Sequence, residues 1–475
     1  MHTKLLTKDS ERMVSRISQR TVLPAGAKTS KTGMPPGALG SSVGGKVNFL
    51  LQSHDLKESD SVQGPEKRPR TCKELGVRVA IVDDLALKIL YTAGPFSVFE
   101  MGKRMRVSYD VANEIFNRMR TTLLCQVTGM KGNIPEIAIT TQGRTRALEL
   151  LASSQYTGPA PVTLESYVEQ VRKQSVRHAV VHKEDIDRAF EGMVLPEKTL
   201  WQIGIALNSG SSIFLHGPAG VGKSAIAETM SRVLSADDVW IPWAVEADGE
   251  IIAVYDPIVH QRVGLPEGTI SDERWTRCQR PSVLVGGELT VEMLDLQFNS
   301  ISGFYTGPVQ MKANNGVLIV DDFGRQRIRP DELLNRWVVP LDRRIDFLTQ
   351  VGGKKIEIPF ELLVVFATNL EPDELVDAAF LRRMQTKIKI NTASEEQFSE
   401  IFRRMARKHQ LALDENVLKE TVQIIRDTLR QELRGCQPRD LVNHVLWAAR
   451  FEDKPPVLTR ASIVEAIESY FIPVE

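Results

Sequence analysis

The second half of the chain carries three runs of consecutive apolar residues, each ending on polar ones: Ile213-Phe214-Leu215, Val317-Leu318-Ile319-Val320 and Leu362-Leu363-Val364-Val365-Phe366-Ala367. None alternates with polar residues, so each reads as a strand covered on both faces, as in a parallel sheet. Helical spacing follows the first run over 225–230, precedes it over 164–174 and 185–190, and dominates the chain from about 393 onward. The upstream segment 78–155 has a different rhythm. It predicts a helix over 84–91 capped by Asp84 and stopped by Gly94-Pro95, a short helix over 98–102, and a turn at 104–107. A helix over 109–119 capped by Ser108 follows, then strands over 123–128 and 136–140 joined by a glycine-bearing turn, and a last helix over 145–151. Helix, helix-turn-helix, hairpin and helix is the order of a winged helix. Two further hairpins are expected, one over 244–255 around the tight-turn pair Asp248-Gly249 and one at 354–359.

These patterns divide the chain into an arm (1–75), a winged-helix-like α+β domain (76–155), a linker with short helices (156–194), an α/β core with hairpin insertions (195–392) and a helical lid (393–475). The arm is rich in Ser, Gly, Pro and Lys and reads as disordered.

Chemistry concentrates after the first apolar run, at Gly217-Pro218-Ala219-Gly220-Val221-Gly222-Lys223-Ser224. The spacing G-x-x-x-x-G-K-[ST] between a strand and a helix opening at Ala225 is that of a phosphate-binding loop. Glycines let backbone N–H groups converge on phosphate oxygens, and the helix N-terminus adds positive partial charge. Lys223 is expected on the β- and γ-phosphates of ATP, and the Ser224 hydroxyl on Mg²⁺. The second run ends in Asp321-Asp322. Asp321 is expected to hold the metal through its water shell, and Asp322 to orient or deprotonate the attacking water. The third run delivers Asn369 to the γ-phosphate or that water; alone, it reads equally as a turn residue. Arg382 and Arg383, after Ala379-Phe380-Leu381, suit an arginine finger given to a neighbouring subunit, or a surface ion pair. Arg439, within Gln437-Pro438-Arg439-Asp440, either reaches back to the nucleotide or serves only to open a helix.

With 60 basic and 60 acidic residues the 475-residue chain has no net charge to name a polyanionic partner. No apolar stretch reaches the roughly 18 residues of a membrane span, and the N-terminus lacks an apolar signal core, so the expected location is the cytoplasm. The cysteines Cys72, Cys125, Cys278 and Cys436 match no metal spacing. In the winged-helix segment Arg118, Arg120, Lys131, Arg144 and Arg146 suit DNA phosphates, whereas Asp110 and Glu114 on the reading helix oppose them. DNA is therefore possible and protein docking preferred.

The five elements, in this order over about 195–475, resemble the AAA+ superfamily: Walker A, Walker B, sensor 1, arginine finger and sensor 2. The resemblance implies a P-loop ATPase with a parallel αβα core, a helical lid, and a ring usually of six subunits that hydrolyses the phosphoanhydride bond of ATP and remodels a protein client. The elements between Met230 and Val317 resemble MoxR-like and helix-insert branches. Trp243-Ala244-Val245-Glu246-Ala247-Asp248-Gly249-Glu250, Gly286-Gly287-Glu288-Leu289-Thr290, Asp322-Phe323-Gly324-Arg325-Gln326 and Leu334-Asn335-Arg336-Trp337 resemble chaperone-like ATPases linked to Flp-type pilus assembly. One departure stands out: Asp322 replaces the usual Glu. A side chain one methylene shorter draws its carboxylate back by about 1.5 Å, and misplacement on the order of 1 Å can cost about a hundredfold in rate. Glu288 is a candidate to assist, and Gly303-Phe304-Tyr305-Thr306-Gly307 a candidate aromatic pore loop that grips a client.

Overall fold

The structure, a computed structural model, describes residues 64–65, 68–235, 237–265, 271–371 and 382–471. The apolar runs lie together in a five-stranded, wholly parallel sheet. Its spatial order is Ser282–Val285, Val317–Val320, Leu363–Thr368, Ile213–His216, Thr386–Lys389. Alternate residues of each strand feed two separate cores. On one face Ile213, Leu215, Ile319 and Val365 pack with Ile203, Leu207, Ile226 and Met230 of helices Glu197–Ser209 and Lys223–Leu234. On the other, Phe214, Leu318, Val364 and Phe366 pack with Leu333 and Trp337 of helix Pro330–Arg343. Two-sided burial explains why these strands show no polar alternation. The C-terminal region is helical, with Glu395–Lys408, Glu415–Gln423, Gln437–Phe451 and Arg460–Tyr470 enclosing Phe398, Phe402, Leu441 and Ile463.

Before the sheet, residues 79–153 run helix Val79–Ala93, strand Phe96–Ser97, helices Val98–Met105 and Tyr109–Thr121, strands Cys125–Lys131 and Ile134–Ile139, and helix Thr141–Ser153. The first helix opens at Val79, so Asp84 lies inside it rather than capping it; Val82, Leu85 and Leu90 supply the buried face. The second helix runs through the expected turn to Met105 and ends on Arg106 in the left-handed region. Ser108 does cap the third, accepting from Val111 N. Residues 68–75, placed by their composition in the arm, pack instead. Cys72 and Leu75 are buried, and Cys72 N donates to Glu114 Oε2 at 2.9 Å. The rest of the expected arm lies outside the described residues, apart from 64–65.

The insertions between Leu234 and Val317, joined by linker strand Val162–Thr163, build a second sheet, ordered Gln297–Asn299, Phe304–Thr306, Glu250–Ala253, Ala244–Ala247, Val162–Thr163. Asp248 and Gly249 both have positive φ, matching a two-residue hairpin turn. This sheet and the N-terminal module share a core that includes Leu85, Met101, Ala244 and Ile251. Tyr156 stacks edge-on against Phe304 at 5.5 Å, and Gln155 N donates to Ser302 O at 2.7 Å. A Cβ on Gly303 would lie 2.1 Å from Ser153 O, so the two segments touch backbone to backbone there. The expected pore loop is thus a packed strand. Tyr305 is 3% exposed, and its hydroxyl accepts from Val351 N.

Arg274 ties the parts. Its buried guanidinium pairs with Asp272 at 2.7 Å and donates to Leu75 O at 3.0 Å and Pro161 O at 3.1 Å. Removing one partner of a buried pair strands the other charge, at about 3–5 kcal/mol. Asp272→Ala is therefore expected to lower stability by that amount. It should appear as a reduced urea midpoint of tryptophan fluorescence, and an Asp272→Leu, Arg274→Met pair should recover most of the loss.

Candidate functional site

The sheet's C-terminal edge gathers most of the expected residues. Strand Ile213–His216 runs into the glycine loop, and helix Lys223–Leu234 leaves it. Gly217 has φ 144°, and a Cβ there would lie 2.1 Å from Ile390 O, so only glycine admits the neighbouring strand's continuation. Gly222, at φ 95°, has nothing within 4 Å of its Cβ position; the loop opens there onto free space. Ala219, Gly220 and Ala225 are exposed, and Val221 is buried.

Lys223 lies under this loop, 7% exposed. Its ammonium donates to Gly217 O at 2.9 Å, Pro218 O at 2.8 Å and Asn369 Oδ1 at 2.8 Å. Burial pulls its pKa below the usual lysine value, opposed by the charges of Asp322 and Asp321. Ser224 Oγ donates to Asp321 Oδ1 at 2.9 Å. Asn369 Nδ2 reaches Asp322 Oδ1 at 3.3 Å, so one side chain bridges the lysine and the second aspartate. The strand order makes this possible, because the Asn369 strand lies between those of the loop and the aspartates. Asp322 is exposed, at φ 48°. The turn after it is held by Phe323 N on Ala367 O and by Thr368 Oγ1 on Phe323 O, both at 2.7 Å.

A hydroxyl and a carboxylate sharing one hydrogen bond suit a hard cation that takes few protein oxygens and completes its shell with phosphate and water, as Mg²⁺ does. Among the described residues no cluster of three or more His, Cys, Asp or Glu competes as a metal site.

The arginines stand elsewhere. Arg383 Nε pairs with Asp342 at 2.9 Å, and its carbonyl accepts from Ser212 Oγ at 3.0 Å. Ser212 precedes the loop strand, so Arg382 and Arg383 sit at the opposite end of the sheet from their own glycine loop, roughly 10 Å or more away at about 3.3 Å per strand residue. Ala379-Phe380-Leu381 lies outside the described residues. Arg439 is 60% exposed and bonds its neighbour Asp440 at 2.8 Å. Glu288 is exposed and accepts from Gly286 N at 3.0 Å, which holds its pKa below the usual carboxylate value. It bonds none of Lys223, Asp321, Asp322 or Asn369, so the expected assistance is not seen.

Sequence reasoning missed three features. Cys436, opening the lid helix Gln437–Phe451, donates its backbone N–H to Gly220 O at 3.0 Å. Beside it, the Arg434 stem comes within 3.5 Å of the Gly220 Cβ position, and its Nε is buried without a hydrogen-bond partner. A second arginine five residues before Arg439 was the signal available. The third is a cavity of about 440 Å³ lined by Val194, Pro196, Thr199, Val221, Ile390 and Ile401, between the linker, the loop and the lid. Arg404 of the lid braces its wall, donating to Glu191 O at 2.6 Å and Met193 O at 3.2 Å.

In the N-terminal module, Arg118 is spent on Asp83 at 2.7 Å, and Arg146 lies 3.2 Å from Glu149. Both were candidates for DNA phosphates. No helix among the described residues is long and apolar enough to cross a membrane.

Residues 394–469 match the family described as "Domain of unknown function (DUF8689)". No curated protein matches the chain. Among solved structures the chain is similar to NtrX from Brucella abortus in complex with ADP, at 14% identity and TM-score 0.37, over 61% of this chain and 59% of NtrX. It is similar to the Thermotoga maritima RuvB Holliday junction branch migration motor at 14% identity and TM-score 0.34, over 58% and 70% of the two chains. Domain III of the Thermotoga maritima replication initiation protein DnaA gives 15% identity and TM-score 0.34, over 60% and 98%. These likenesses are distant, at 15% identity or less and TM-scores below 0.4.

Asp321→Asn is expected to remove the magnesium dependence of nucleotide binding, measured by titrating a fluorescent ATP analogue with and without the metal. Arg434→Ala is expected to weaken binding of that analogue about tenfold, the order of one lost charge-assisted hydrogen bond; unchanged affinity would mean its buried Nε is only a packing defect.

Proposed function

We propose that the chain is an AAA+ type ATPase that binds Mg–ATP at the sheet edge and hydrolyses it with help from a neighbouring copy. The observation that carries this is the linked set Ser224–Asp321 at 2.9 Å and Lys223–Asn369–Asp322 at 2.8 and 3.3 Å. The loop amides and Lys223 would hold the phosphates, with Lys223 exchanging its carbonyl partners for phosphate oxygens. Ser224 and Asp321 would hold the magnesium, which when bound neutralises charge on the β- and γ-oxygens. Asp322 would accept the proton of the attacking water while Asn369 orients it. Asp322 begins one methylene short, and turnover is expected to be slow for that reason. The cavity between linker, loop and lid is the place for the base. Arg439 would have to leave Asp440 to approach the nucleotide.

Arg382, exposed at the far end of the sheet, suits the γ-phosphate of an adjacent subunit rather than its own. That calls for a ring, for which six subunits is the expectation, in the cytoplasm. The winged-helix-like module is packed firmly on the insertion sheet and two of its arginines are already paired, which favours a protein client over DNA. The resemblance to chaperone-like ATPases near Flp-type pilus systems points the same way.

The test is complementation. An arginine finger is worth about 10³–10⁵ in rate, so Arg382→Ala is expected to abolish turnover while still binding ATP. Lys223→Ala is expected to bind none. Mixing the two restores some turnover, because one supplies the loop and the other the finger. No recovery would remove the shared site.

A further inference from the structure

Away from the nucleotide site, two arginines from separate segments meet on one indole. Arg106, which ends helix Val98–Met105, lies 5.4 Å from the ring centroid of Trp243, and Arg262 lies 5.5 Å from it. Trp243 stands between strands Asp238–Pro242 and Ala244–Ala247 and is fixed by its backbone: its N–H donates to Arg274 O at 3.0 Å, and its carbonyl accepts from Val254 N at 3.1 Å. Tyr255 packs against the same ring at 4.4 Å. The cluster therefore exists only where the N-terminal module meets the insertion. Arg106 holds φ 58°, a conformation that glycine would adopt without strain, and its side chain is what reaches the indole.

Neither guanidinium has a carboxylate partner among the described residues, and the only bond either makes is from Arg262 Nε to Thr276 Oγ1 at 3.1 Å. The acids of the surrounding segments are spent elsewhere. Asp238 pairs with Arg277 at 2.7 Å, Asp256 with Lys312 at 2.8 Å, Asp272 with Arg274 at 2.7 Å, Glu273 with Arg68 at 2.9 Å and Glu100 with Arg104 at 3.0 Å. Asp110, Glu246 and Glu250 bond neither arginine. Two positive charges held side by side without a counter-charge fit an anionic partner, and a guanidinium packed on an aromatic ring keeps its N–H edge for a carboxylate or phosphate. The choice between these follows from the ring. Sites for single-stranded nucleic acid stack bases on open aromatic faces, whereas this indole already meets two guanidiniums and a tyrosine. Ile258, three residues past Tyr255 and 90% exposed, adds an apolar contact that suits a side chain. Carboxylates one helical turn apart stand about 6 Å from each other, so one peptide can meet both arginines.

We propose that the Arg106–Trp243–Arg262 cluster docks an acidic segment of the protein client, with one carboxylate on each guanidinium and an apolar side chain on Ile258. This rests on the protein-client reading and not on ATP chemistry, so the test is run without nucleotide. Fluorescence anisotropy follows a fluorescein-labelled peptide of glutamates and leucines, its counterpart with lysine for glutamate, and labelled oligo-dT. The full chain is expected to bind the glutamate peptide, more weakly as salt rises, and to ignore the other two. Arg106→Gln and Arg262→Gln should each weaken binding about tenfold, the order of one lost charge-assisted hydrogen bond. Arg262→Lys, which keeps the charge and loses the planar fork, should fall between. Arg450→Gln, an exposed arginine on the lid helix, should bind like the unaltered chain. Circular dichroism checks that each variant is folded. Glutamate-peptide binding that is absent, or indifferent to both arginines, would overturn the proposal. So would equal loss in Arg450→Gln, which would mean bulk charge alone, or oligo-dT binding lost with Arg106, which would make the cluster a nucleic-acid site. Failure of a fluorescent ATP analogue to bind would sink the ATPase reading and leave this result standing.

Discussion

An ammonium placed beneath a glycine loop must be met by oxygens, and Lys223 meets three: two carbonyls of its own loop and the amide of Asn369. That condition sets the order of the sheet around it. The strand bearing Asn369 has to lie beside the loop strand, and the aspartates have to arrive from the strand beyond. Parallel pairing then aligns all three C-terminal ends, since Thr368 is registered with His216, and Phe366 with Val320. The site is a consequence of three apolar strands being buried side by side, with their polar ends left at one edge where the sheet stops.

How legible this was depends on whether the signal is local. The glycine loop, the aspartates and Asn369 each follow an apolar run, and periodicity finds such runs without knowledge of the fold. The N-terminal helix was harder. Val79 to Val82 carry no helix-starting cap, and the helix forms there because tertiary burial of Val82 and Leu85 outweighs the missing cap. The 303–307 segment looked like an aromatic loop because glycines flank it. Its glycine is needed for close approach to Ser153, a partner about 150 residues away that no local pattern reveals. The arginines divide for the same reason. That Arg439 faces Asp440 while Arg434 lies against Gly220 is a matter of how the lid docks, and only the tertiary structure decides it.

The insertions change what the N-terminal module can be. Its core is continuous with the second sheet, and the buried Arg274–Asp272 pair bonds carbonyls from both sides of the module. A tethered domain would expose a polar seam; here the seam carries Tyr156, Phe304 and Ile251. Module and insertion are therefore a single solid attached to the parallel sheet, and whatever it touches is touched by the whole of it.

The hydrogen bond from Cys436 to the Gly220 carbonyl gives that solid a counterpart. It fastens the first turn of a lid helix to the tip of the glycine loop, where no side chain of Gly220 intervenes. A shift of this loop would pull on the helix, and a 15-residue helix would transmit such a pull as a rigid rod. The far end of that rod is Phe451, so any movement of the loop would be carried to the opposite margin of the lid. The tether would act as a drawstring between the glycine loop and the lid.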